Sequence, residues 1–153
     1  MNYKKKQVER GLEAVEMLRS FLEKKGGLLT VSVHENKYSS GSYGFPDLTF
    51  NEFGIEVKRV ALLTKRKIEN KDSFYNHIGR LKFNRESWKG LKEWCQNNGK
   101  KPMLVAVLTN GGQKPIFVYF YEPEIDLLEK EQQKNKWISL SFFDVLHRGE
   151  IWK

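Results

Sequence analysis

Asp47, Glu56 and Lys58 are the residues of this chain whose types and spacing could do chemistry together. They stand in Phe45-Pro46-Asp47-Leu48 and, nine residues after Asp47, in Glu56-Val57-Lys58. Alternate residues of a strand project from one face, so the Glu56 carboxylate and the Lys58 ammonium share a side. Ile55 and Val57 then point to the opposite, core-facing side. Asp47 ends or bends the strand before them. Residues 48–50 read as strand, residues 51–54 as a tight connection, and residues 55–60 as strand again. Such a hairpin brings Asp47 beside Glu56 and Lys58. Two carboxylates can hold a hard divalent cation through oxygen, while an adjacent lysine stabilises anionic charge or positions a water. That chemistry suits a phosphodiester. Taken singly, Pro-Asp is a common turn and Glu-x-Lys a common exposed strand pair. The turn-like gap joins them into one constellation.

The elements that must position these residues can be read from periodicity. Residues 4–25 predict a helix, with Val8, Leu12, Val15, Leu18 and Leu22 on one stripe and Glu9, Glu13, Glu16 and Ser20 on another. Gly26-Gly27 ends it. Residues 28–33 are apolar and β-branched and predict the first strand. A polar loop, residues 35–44, then delivers the chain to Pro46. After Val60 comes a basic connector, Lys65-Arg66-Lys67-Ile68-Glu69-Asn70-Lys71. Residues 73–98 predict a second helical region, broken near Asn84, which could cap its second half. Residues 103–108 form an unbroken apolar run, as in a strand covered on both faces. Asn110-Gly111-Gly112 turns into another strand over 116–121. The tail predicts a short helix near 124–132, a strand at 137–141 and a helical turn over 142–147. No long linker interrupts this order, so residues 1–153 predict a single domain.

Composition narrows the class. A chain of 153 residues with 39% hydrophobic and 13% aromatic content can bury a real core, which argues against disorder. The balance of 27 Lys+Arg against 19 Asp+Glu leaves +8, and a basic surface suits a polyanion such as nucleic acid. Cys95 is the only cysteine, which excludes an internal disulfide and a thiolate metal cluster. It falls in Leu91-Lys92-Glu93-Trp94-Cys95, where a helix would bury it as a small hydrophobe. His34, His77 and His147 lack zinc-ligand spacing, although His77 could approach the Lys58 strand. No segment has the length of a membrane span, and the start, Met1-Asn2-Tyr3-Lys4-Lys5-Lys6, lacks the apolar core of a signal peptide. An intracellular protein is expected.

Pro-Asp, a short gap and Glu-x-Lys resemble the signature of the PD-(D/E)XK nuclease superfamily. The order helix, strand, hairpin, long helix, strand over residues 7–121 resembles the αβββαβ core of the restriction-endonuclease-like fold. The resemblance implies an α/β fold with a mixed central sheet flanked by helices, and residues 122–153 as an extension. It implies a metal-dependent endodeoxyribonuclease in which Asp47, Glu56 and the backbone carbonyl of Val57 hold Mg²⁺, or Mn²⁺ in its place. Lys58 would orient the attacking water or stabilise charge on the phosphate oxygens. In many members the first helix adds an acidic residue. The position three turns before the helix-ending glycine, as in archaeal Holliday junction resolvases, favours Glu16. Gly11-Leu12-Glu13, similar to junction-resolving phage nucleases, favours Glu13.

Archaeal-type Holliday junction resolvases also carry a Ser/Gly segment ahead of the catalytic aspartate, similar to Ser39-Ser40-Gly41-Ser42-Tyr43-Gly44. There Ser40 and Ser42 could contact the scissile strand. Residues 80–88 resemble the helix these nucleases place after the lysine strand, with Trp88, Leu91 and Trp94 packing on the sheet and Lys82 and Arg85 reaching phosphates. Lys4, Lys5, Lys6, Lys65, Arg66 and Lys67 are the expected affinity determinants. A short chain favours a structure-selective, junction-resolving enzyme of DNA recombination over a sequence-specific homing or restriction enzyme. A catalytically silent DNA-binding module and an RNA-processing nuclease are the other readings. Cutting two strands with one site per chain implies a homodimer, with Trp137, Phe142, Phe143, Val145, Leu146 and Trp152 as the expected contact surface or, equally, as core.

Overall fold

A long helix, α1 (Tyr3–Lys25), opens the computed structural model, which describes residues 3–31, 45–63, 79–110 and 114–153. Ala14, Val15, Leu18 and Leu22 recur at helical spacing and are buried, so this stripe faces the core. Lys24 and Lys25 sit at the negative end of the helix dipole. Gly26, at φ 73°, takes the left-handed conformation that ends it.

Three antiparallel strands follow: β1 (Leu29–Val31), β2 (Leu48–Phe50) and β3 (Phe53–Leu63). Asn51, at φ 53°, supplies the left-handed residue of the β2–β3 turn. β3 pairs in parallel with β5 (Lys101–Asn110), which pairs antiparallel with β6 (Ile116–Tyr121). The two-residue strand β8 (Glu150–Ile151) completes the order β1-β2-β3-β5-β6-β8. A second sheet pairs β4 (Arg80–Asn84) antiparallel with β7 (Trp137–Ser141). Three shorter helices remain: α2 (Arg85–Asn97), α3 (Glu122–Glu131) and α4 (Phe142–Arg148).

The mixed sheet separates two cores. On one face α1 packs against Leu48, Ile55, Val57, Met103, Val105 and Val107. On the other, Val60, Leu104, Ala106 and Leu108 meet Trp88, Leu91 and Cys95 of α2 and the inner side of the β4–β7 ribbon. Met103 through Leu108 are all buried, which is why β5 reads as a continuous apolar run. Each large side chain so buried is worth about 1.5–3 kcal/mol.

The α/β class and the central mixed sheet match the expectation. One element does not: residues 80–84, read as the middle of a helix, form β4. Leu81 and Phe83 are buried while Arg80 and Lys82 are exposed, a strand period of two. Its partner, β7, lies more than fifty residues downstream in sequence, so no local pattern announces the pairing. Asn84 does cap the following helix, its Oδ1 accepting from Glu86 N at 2.8 Å. The tail is woven into the fold rather than appended to it. Val145, Ile125 and Leu128 are core residues, and Phe142 and Leu146 pack against that core. Trp152 stands edge-on to Phe21, Phe50 and Tyr119. Trp137 and Phe143 are the exposed members of the expected contact surface, at 52% and 62%.

Candidate active site

The β2–β3 hairpin assembles the cluster. Leu48 pairs with Ile55 at the end of β2, which sets the preceding residue, Asp47, against the edge of β3 along which Glu56 and Lys58 follow. Two hydrogen bonds hold Asp47 there. Its N–H donates to Ile55 O at 2.8 Å, and its Oδ2 accepts from Val57 N at 2.8 Å. The carboxylate therefore takes over from β2 as the partner of β3. Val57 N–H and C=O point to the same edge of β3, so the Val57 carbonyl is also directed to the side where β2 has given way to Asp47.

Glu56 and Lys58 emerge on the face opposite α1. Lys58 Nζ stands 3.3 Å from Glu56 Oε1, with the side chains 29% and 18% exposed. Both are sheltered but reachable. Gly54, two residues earlier on this face, is where α2 docks: a Cβ there would lie 2.7 Å from Cys95 Sγ and 3.5 Å from Trp94. α2 thus seats the start of β3, while Asp47, Glu56 and Lys58 lie along its continuation. Cys95 is buried, as expected, and its burial pushes the thiol up to about 11, so it is inert rather than nucleophilic.

The site offers two carboxylates, a directed carbonyl and a lysine. These oxygen donors fit a hard divalent ion better than zinc. Among the described residues no group of three or more His, Cys, Asp or Glu forms. The acidic residues of α1 stand apart from the pair. Glu16 is ion-paired with Arg19, which also binds Glu23, and that guanidinium holds the Glu16 carboxyl below its ordinary value. Glu13 lies nearer: its Oε2 is 3.2 Å from Arg59 Nη1, on the strand that carries Lys58 but on its other face. Arg59, which also donates to Thr109 Oγ1 at 3.3 Å, is the neighbour that sequence reasoning passed over. Its signal was a cation at a core-facing parity, where an acidic partner from the covering helix is required.

The basic residues expected to contact nucleic acid divide. Lys82 is exposed on β4. Arg85 is instead tied into the fold, donating to the carbonyls of Glu129, Gln132 and Asn135 and to the Glu129 carboxylate. Lys4, Lys5 and Lys6 belong to the first turns of α1, and their side chains lie outside the described set. Ser40, Ser42, Lys65, Arg66, Lys67 and His77 lie outside the described residues. No described helix is long and apolar enough to cross a membrane.

The sequence matches no protein-family model and no curated protein. The structure does have a solved likeness. It superposes on Hjc, a Holliday junction resolvase from the archaeal hyperthermophile Archaeoglobus fulgidus, with a TM-score of 0.59. The match covers 92% of this chain and 95% of that one at 15% sequence identity. The α/β architecture described above, a central mixed sheet flanked by helices, is therefore the fold of that resolvase.

Proposed function

We propose that this protein is a metal-dependent endodeoxyribonuclease of the PD-(D/E)XK type that acts on branched DNA. The observation that supports the reading is the Asp47 carboxylate hydrogen-bonded to Val57 N, between Glu56 and Lys58, which pair with each other on β3, within a fold like that of a junction resolvase. Asp47 and Glu56, with the Val57 carbonyl, would hold Mg²⁺ or Mn²⁺. When bound, such an ion supplies Lewis-acid polarisation of the scissile phosphate and acidifies a water. The chain's own groups do the rest. The Val57 N–H fixes the Asp47 carboxylate. Glu56 holds Lys58 in place, and the ammonium, on the same face, stabilises charge developing on the phosphate oxygens or orients the water. Substituting Glu16 and Glu13 in turn tests which of them adds a further acidic group.

The net charge of +8 supports a polyanionic substrate, with Lys4, Lys5, Lys6, Lys65, Arg66, Lys67 and Lys82 as phosphate contacts and Ser40 and Ser42 beside the scissile strand. A two-fold homodimer would place one site on each strand of a junction. The test is cleavage of a panel of linear duplex, four-way junction, flap, single strand and RNA, with Mg²⁺ and with EDTA. Mg²⁺-dependent cuts near the branch point of a junction, whatever its arm sequences, are expected. Cuts that follow one sequence into linear duplex would instead favour a homing or restriction enzyme. Cleavage undiminished by EDTA would overturn the metal assignment.

A further inference from the structure

The β4–β7 ribbon has an outer face that the cluster at Asp47, Glu56 and Lys58 does not use. Leu81, Phe83, Ile138 and Leu140 point inward and are buried, so Arg80, Lys82, Trp137, Ser139 and Ser141 are left on the outside. Arg80 pairs with Ser141 and Lys82 with Ser139, while Trp137 lies one step farther along the same face, opposite Asn84, whose side chain is buried in the cap of α2. That outer face carries two cations and no acid. Arg80 Nε donates to Ser139 Oγ at 2.8 Å, and among the described residues neither Arg80 nor Lys82 has an acidic partner. Two more exposed lysines, Lys134 and Lys136, lie in the turn that enters β7.

Trp137 is the informative residue. The residue is 52% exposed at the end of a ribbon whose inner side is already full. A ring held on a strand whose same face carries cations is what stacks a base, because every base has a π-face and its phosphates can then reach the cations. The Arg80 end of the ribbon is also close to the cluster. Gly79 N donates to Ala61 O at 2.8 Å, which fastens the start of β4 to β3 three residues beyond Lys58. At about 3.3 Å per residue that is about 10 Å along the strand. The ribbon packs on the same side of the central sheet from which Glu56 and Lys58 emerge.

We propose that the outer face of the β4–β7 ribbon binds an unpaired DNA strand, with its phosphates on Arg80 and Lys82 and one base stacked on Trp137. This deepens the nuclease reading, on which the direction of the strand from the cluster rests, by naming the feature that would tell branched or splayed DNA from continuous duplex. A continuous duplex keeps its bases stacked on one another and has none to give to Trp137.

The experiment is binding in EDTA, where no metal-dependent cut occurs, of an oligothymidylate and of a linear duplex. Intrinsic tryptophan fluorescence and anisotropy are the readouts. Oligothymidylate should quench the wild type, and Trp137→Phe should lose most of that quenching. Trp137→Ala should weaken oligothymidylate binding by about 5- to 150-fold, the range for one stacked base, and leave the duplex within a few-fold. Arg80→Ala with Lys82→Ala should lower the log–log salt slope for the single strand by about 1.4, at about 0.7 per contact. Quenching equal in wild type and Trp137→Phe would overturn the proposal, as would equal losses for oligothymidylate and duplex. Circular dichroism checks folding of each variant, and the Phe variant carries the test if the Ala variant melts early. Because the assay needs no cleavage, an enzyme that cuts but is not quenched sinks the ribbon proposal alone. A protein that is quenched but never cuts sinks the nuclease reading alone.

Discussion

At the scale of single residues, Lys58 and Glu56 form a partly sheltered ion pair whose two members have different work in the proposed mechanism. Removing the carboxylates removes the oxygen donors, whereas removing the lysine leaves them in place. Asp47→Ala and Glu56→Ala should therefore abolish Mg²⁺-dependent cleavage while DNA affinity stays within a few-fold. Lys58→Ala should lose about 10²–10³-fold in rate, as when one charge-stabilising donor is removed, yet still bind metal by calorimetry. Robust cutting by either carboxylate variant would end the assignment. Cys95 gives a prediction in pH. Its thiol is raised by burial from 9.0 to about 11, so the folded state keeps a proton that the unfolded chain has lost. The contribution is fully present below about pH 9 and disappears as pH rises toward 11. Melting temperatures of wild type and Cys95→Ala should converge as pH rises across that window, and a constant difference would refute it. The placement of Asp47 against β3 and of Glu56 beside Lys58 was legible because the spacing is local: a hairpin and a period of two set it. Arg85 was misleading for the opposite reason. Nothing near it in sequence foretells that its guanidinium will bind three carbonyls more than forty residues away.

Elements show the same division between near and far. α1, the hairpin, β5 and β6 each carry their own periodicity and were readable. β4 was not, because a five-residue strand leading into a helix has too few alternations to override the helical pattern downstream. Its identity comes from β7, and its position comes from Gly79. A Cβ at residue 79 would fall 2.3 Å from Ala61 O and 2.8 Å from Ala61 N, both backbone atoms that cannot step aside. Gly79→Ala should then destabilise the protein by about 1–3 kcal/mol, the usual cost of overpacking. A melt unchanged within a degree would show that β4 does not cross β3 so closely. Asn84→Ala removes the cap of α2 and should cost about 1 kcal/mol. Asn84→Asp or Asn84→Ser should recover most of it.

For the whole molecule, the tail decides what can be separated from what. Trp137 and Phe143 are too few to make an obligate apolar interface, since Val145 is consumed by the core and Phe142 and Leu146 pack against it. Self-association through Phe143, which leaves Trp137 to the unpaired strand, should therefore be modest. Light scattering should show a dimer that Phe143→Ala weakens only a few-fold, and a monomer at micromolar concentration with and without DNA would overturn the two-fold arrangement. The pairing of β4 with β7 also has a consequence in time. Its contacts join Arg80 to Ser141 and Asn84 to Trp137, so the loop they close spans α2, β5, β6 and α3. Closing so long a loop costs entropy that must be met before the contacts return anything. The hairpin and α2, by contrast, close short loops. In refolding followed by pulsed hydrogen exchange, the amides of β2 and α2 should be protected early. Those of β4 and β7 should gain protection together and late, leaving Leu81 and Phe83 exposed to other chains in the interval. Protection of β4 before β7 would mean that the strand finds its shape without the partner that defines it.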